Sequence, residues 1–126
     1  MKLNPDCIRD ILLVVEANSS FSKIVTPNNF IASGIFQKYD SETVTYHIRQ
    51  AKEAGLLMKT SFFADGNFTI KDLSPEGHQF LANIREDKNW NKTKTIAKKV
   101  GSTSLGALVS IASNIISSAI KHHLGL

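Results

Sequence analysis

Residues 39–57 read YDSETVTYHIRQAKEAGLL, and their pattern decides the fold. Asp40 or Ser41 is placed to cap a helix, because a short side-chain oxygen can accept from the open N–H groups of a first turn. Glu42 sits in that turn, where the helix dipole favours a negative charge. Val44, His47, Ile48 and Ala51 recur at i, i+3, i+4 and i+7, so they share one narrow face. Gly55 supplies the left-handed residue that stops the helix. Beyond it the period changes. Residues 56–63 read as a strand, Ala64-Asp65-Gly66-Asn67 as a hairpin turn, and residues 68–73 as the returning strand.

Upstream, Asn4-Pro5 opens a first helix by cap and first-turn proline, and Ile8, Ile11, Leu12 and Val15 carry its apolar face. Asn18-Ser19-Ser20 ends that run. Residues 21–37 are less regular: Thr26-Pro27-Asn28-Asn29 reads as a turn, residues 29–32 as a short strand, and Gly34 interrupts any long helix. This segment is expected to be a short helix or a strand-like connection. Downstream, Ser74-Pro75 restarts a helix whose apolar face is Phe80, Leu81 and Ile84. The order helix, weak connection, helix, β-hairpin, helix is that of a winged helix-turn-helix. The expected class is α+β, mainly helical, with a winged helix-turn-helix over residues 1–86 and a C-terminal helical extension over residues 87–126.

The bounds set by composition agree with a small binding module. A chain of 126 residues makes one modest core. A hydrophobic content of 42% with 21% charged residues is globular. Cys7 stands alone, which excludes an intramolecular disulfide and fits a reducing cytoplasm. Charged residues near the start argue against a signal peptide, and serines interrupt the apolar run after Leu105, which argues against a membrane span. The net charge of +4 is uneven. Residues 1–40 and 41–73 each balance, and residues 74–126 hold seven basic against three acidic side chains. DNA-binding domains draw most of their non-specific affinity from phosphate neutralisation, so the neutrality of residues 1–73 weighs against strong binding by that part alone.

EAGLL, the hairpin, and DLSPEGHQFL resemble a helix-wing-helix pattern found in many winged-helix regulators. Nearly the whole chain is also similar to a domain-of-unknown-function family of phage and prophage proteins. The segments that carry this are MKLNPDCIRDILL, YHIRQAKEAGLL, DLSPEGHQFLANIR and WNKTKTIAKKVGS. The resemblance implies a phage-type winged-helix-like protein. The absence of a clear supporting helix before residue 39 departs from the regulators' pattern.

With Val44, Ile48 and Ala51 facing the core, Thr43, Thr45, Tyr46, Arg49, Gln50 and Lys52 project outward, with chemistry suited to base edges and phosphates. Lys59, Asn67 and Lys71 add contacts from the wing. The bland alternative is a solvated helix face or a surface for a protein, and Asp40 and Glu42 at the helix entrance favour it. His47 reads as packed rather than ligating; His122 and His123 are adjacent and cannot clamp one metal as an i, i+4 pair could. No metal site, cofactor or catalytic constellation is expected, and the protein is read as a non-enzyme.

NWNKTKTIAKK, residues 89–99, carries four lysines around Trp90 and Ile96 and reads either as a basic contact helix or as a solvated connector. From residue 105 a helical projection gathers Leu105, Leu108, Val109, Ala112, Ile115, Ile116, Ala119 and Ile120 in one half of the wheel. Its polar side carries few cations, which disfavours a membrane-surface helix. Packing on the chain itself or on a second copy is expected, with homo-oligomerisation favoured. Function is therefore read as a DNA-binding transcriptional regulator acting as an oligomer. The rival is a protein-binding module, such as a phage inhibitor of a host defence or replication complex, and DNA and host protein are close to evenly matched as partners.

Overall fold

A computed structural model describes all residues, 1–126. Three helices precede a two-stranded hairpin, and three more follow it. They are α1 (Pro5–Asn18), α2 (Pro27–Ser33), α3 (Ser41–Glu53), β1 (Leu57–Phe62), β2 (Phe68–Leu73), α4 (Pro75–Ile84), α5 (Asp87–Val100) and α6 (Leu105–His123). The class is mainly helical α+β. The chain divides into two compact units, Met1–His78 and Gln79–Leu126, with the boundary inside α4. No helix is long and apolar enough to cross a membrane.

In the first unit, α1 begins where Asn4 accepts from the Asp6 N–H at 3.0 Å, and it buries Cys7, Ile8, Ile11, Leu12, Val14 and Val15. Of the two forms expected for residues 21–37, the short helix is present, preceded by an isolated extended bridge at Val25. Residues 29–32 are not a strand. They lie within α2, and the expected turn at Thr26 to Asn29 is that helix's first turn. The reason is a reciprocal cap: Asn29 reaches back to accept the Thr26 N–H at 2.9 Å, while Pro27 occupies the first helical position. Seven residues with only Phe30 fully buried leave no periodicity to read. Gly34, at φ 82°, ends the helix, and one 3-10 turn over Ile35–Gln37 leads towards α3.

α3 follows its expected pattern closely. Asp40 caps it by accepting the Thr43 N–H at 2.7 Å, and Val44, His47, Ile48 and Ala51 are its buried residues. At its end Gly55 takes φ 78° and donates to Lys52, while the Leu56 N–H donates to Ala51. This pair of bonds is a Schellman stop, and it satisfies carbonyls the helix would otherwise leave open.

β1 and β2 pair antiparallel, with Leu57 opposite Leu73, Thr60 opposite Ile70 and Phe62 opposite Phe68. Phe30 of α2 meets Phe68 edge-on, with ring centroids 5.2 Å apart. At the tip Gly66, at φ 88°, donates to the Phe63 carbonyl and closes the turn. Inside β1, Lys59 takes φ 42°, a left-handed conformation that is unfavourable for a side-chain-bearing residue. Strict alternation breaks there: Met58 and Lys59 are both exposed and Thr60 faces inward. Ahead of α2, Val25 exchanges two backbone hydrogen bonds with Ile70, at 2.8 and 2.9 Å. That bridge lays a third extended segment along β2, leaving β1 at the edge.

The hairpin returns to α3 through a backbone junction. The Ser74 N–H donates to the Leu56 carbonyl at 2.9 Å, its hydroxyl donates to Gly55, and the same hydroxyl accepts the Gly77 N–H at 2.9 Å. Gly77 passes so close to Leu56 that a Cβ there would stand 2.0 Å from the Leu56 carbonyl oxygen. AGLL and LSPEG are thus two halves of one joint.

In the second unit, α5 and α6 pack on each other, and their connection over residues 101–104 is short enough to make them antiparallel. Gly101, at φ 76°, stops α5, and Ser104 caps α6 by accepting the Ala107 N–H. α5 buries Trp90, Thr93 and Ala97, spaced i, i+3 and i+7. α6 buries Leu105, Leu108 and Ala112.

Candidate nucleic-acid interface

α3 and the hairpin hold the residues expected to face a partner. Their positions follow from the anchoring of α3. His47 is wholly buried, its Nε2 accepting the Asn4 N–H at 2.7 Å and its Nδ1 facing the Thr43 carbonyl at 2.8 Å. A carbonyl can only accept and an amide N–H can only donate, so these partners select the neutral Nδ1–H tautomer. Both nitrogens are thereby occupied, and His47 acts as a pin between α3 and the start of α1.

With that face fixed, Arg49 and Lys52 are exposed, and Thr43, Thr45, Tyr46 and Gln50 are half-buried. Tyr46 packs edge-on against the His47 ring at 4.9 Å. Arg49 and Lys52 converge on one aromatic ring. The Arg49 guanidinium carbon lies 4.4 Å from the Phe62 centroid, and the Lys52 Nζ lies 5.5 Å from it. Phe62 also tilts against Phe68, at 6.5 Å. A guanidinium held over a ring loses little freedom and keeps N–H donors available, so two α3 cations are pre-positioned beside the hairpin.

Phe62 was not among the candidates from sequence. The signal was the Phe62-Phe63 pair at the end of a strand: with alternating faces, the two rings point to opposite sides. One turns inward to the hydrophobic set, and Phe63 is left exposed.

The wing residues are less concentrated. Exposed Lys59 and half-buried Lys71 both lie between the Met58–Asp72 and Thr60–Ile70 pairs, so they stand across from one another. Asn67 is apart from them, exposed at the tip, where its backbone N–H and its side chain both bond to Asp65. An open groove of about 510 Å³ runs beside that tip, lined by Pro27, Phe63, Ala64, Phe68, Asp65 and Asn67 among others. It is more apolar than the α3 face.

Electrostatics divide the chain sharply. Met1–His78 holds eight basic and nine acidic side chains, a net of −1, whereas Gln79–Leu126 holds seven basic and two acidic, a net of +5. At the entrance to α3 the Asp40 carboxyl is held below its ordinary range by the backbone N–H and side chain of Thr43, so it stays anionic. Of the residues expected to oligomerise, Leu105, Leu108 and Ala112 are covered within the chain. Val109, Ile115 and Ile116 are half-buried, while Ala119 and Ile120 are exposed.

Residues 2–104 match the model of a family described as "Hypothetical protein (DUF2513)". The chain is 36% identical over 120 residues to a Haemophilus influenzae protein named "Uncharacterized protein", a match spanning 93% of this chain and 97% of the relative. No solved structure matches. A family match across most of the length and a full-length relative at that identity place this chain in the DUF2513 family.

Proposed function

We propose that Met1–His78 is a winged helix-turn-helix module that binds duplex DNA through α3 and the hairpin, serving a non-enzymatic transcriptional regulator. The observation that carries this reading is the two-way pairing of Val25 with Ile70. With that bridge counted as a strand the order is helix, strand, helix, helix, strand, strand, with α3 packed on α1 and against β1, and we read the hairpin as the wing. Thr45, Arg49 and Gln50 then meet base edges, and Lys52, Lys59 and Lys71 meet phosphates. Self-association through the far end of α6 supplies two such heads, which compensates for the weak charge of each. A prophage setting, implied by the sequence resemblance, accords with a regulator of this size.

The test is selection of bound duplexes from a random library, followed by titration of the winning site. Arg49→Ala is expected to weaken that site roughly 5- to 150-fold, the range for one bidentate base contact, and to relax preference at one position. Failure to enrich any sequence, with no duplex binding at about 50 mM salt, overturns the reading.

A second reading, a module that binds a protein, is favoured by two observations: the net charge of −1 on this unit and the apolar groove beside Phe63. A partner that stays bound after nuclease treatment, and is lost with Phe63→Ser, supports it.

A further inference from the structure

α5 carries a surface that α3 lacks. At 100° and 1.5 Å per residue, Lys88, Lys92, Thr95 and Lys99 fall within about 60° of one another along about 16 Å of helix. They lie opposite the buried side formed by Trp90, Thr93 and Ala97. All four are exposed, as is Lys98 at the edge of the row, and none of the four lysines is engaged in an ion pair. Between Lys88 and Lys99 there is no acidic residue; the helix's one carboxylate, Asp87, lies at its start, ahead of the row. Lys94 stands outside it, 5.3 Å from the Trp90 ring.

We propose that this face of α5 binds the phosphate backbone of a nucleic acid, with Lys88, Lys92 and Lys99 neutralising phosphates and Thr95 donating a hydrogen bond between them. The regular spacing selects a repeating anion over a protein carboxylate cluster. Asn91 and Thr95 beside the lysines offer hydrogen bonds and no apolar area to bury in lipid, which disfavours a membrane surface. A backbone contact of this kind is blind to sequence and needs nothing from α3. It accounts for the placement of the chain's whole positive excess in Gln79–Leu126.

The experiment uses the full chain and a labelled random-sequence duplex, with the affinity followed between about 50 and 200 mM salt. Replacing Lys88, Lys92 and Lys99 together by Gln is expected to reduce the slope of log affinity against log salt by about 2.7, at 0.9 per phosphate. Unchanged thermal unfolding serves as the folding control. Lys23→Gln, an exposed lysine outside both faces, is expected to leave the random-duplex slope within about 1 of the parent. An unchanged slope in the triple variant overturns the proposal and leaves the α3 reading standing. A slope that falls as much with Lys23→Gln as with the triple variant likewise overturns it. Equal binding of poly-glutamate or of anionic phosphatidylserine vesicles, abolished by the same three substitutions, overturns it in favour of a general anion surface.

Discussion

Gly77 shows how much one residue can determine where two elements meet. It lies in a helix, where glycine ordinarily costs stability relative to alanine. Here the ordinary order is reversed, because a Cβ at this position would press 2.0 Å from the Leu56 carbonyl oxygen, a backbone atom that cannot swing aside. Ser74 fixes the same joint from the other side through Gly55, Leu56 and Gly77. Gly77→Ala is therefore expected to destabilise the protein by about 2–4 kcal/mol, the range of overpacked sites and broken buried hydrogen bonds, seen as a fall in the urea midpoint. A gain in stability, as at an exposed helical glycine, would contradict the close approach. His47 is comparable: its ring is committed at both nitrogens, so its place in the pattern is structural.

At the scale of elements, α1 couples stability to alkaline pH. Burial, and then the charge of Asp10, push the Cys7 thiol up to about 12. Burial and the hydrogen bond to Asp10 at 3.0 Å raise the Tyr39 hydroxyl as well. Both groups are held neutral in the folded state, so their contribution is full below the unfolded values near 9 and 10 and is lost as pH rises through the folded ones. The urea midpoint is expected to fall steadily above about pH 9, and Cys7→Ala is expected to flatten that fall. A profile level to about pH 11 would sink the argument. Much at this scale was readable from the chain. α1 and α3 announce themselves through caps, glycine or serine stops and single apolar faces, and Asp65-Gly66 marks the hairpin. α2 was readable only as one of two alternatives, because its cap is a backward reach by Asn29 and its core contact is one phenylalanine. The convergence of Arg49 and Lys52 on Phe62 was hidden, since ring contacts across 10 or more positions leave no local period.

For the whole molecule, the notable arrangement is the separation of shape from charge. The unit with the α3 face is net negative, and the helical hairpin behind it in sequence is strongly positive. The apolar stripe of α6 continues past Ala112 into half-buried Ile115 and Ile116 and then exposed Ala119 and Ile120, with Ile120 54% exposed. Its last turn carries Lys121, so two copies paired head to tail would keep the two lysines apart. Ile120→Glu is expected to convert a dimer to monomer by light scattering while leaving the unfolding midpoint of the monomer nearly unchanged. A monomeric parent, or a variant that still dimerises, removes α6 from the account. The left-handed turn of Lys59 bears on the same question from the opposite side. β1 is the open margin of the sheet, and such margins invite other chains to add strands without limit. A kink with an exposed lysine in mid-strand breaks the straight row of backbone donors and acceptors that such growth requires. The hairpin is thereby guarded against fibril-like aggregation through its open margin, which leaves helices as the surfaces by which copies of this chain could meet.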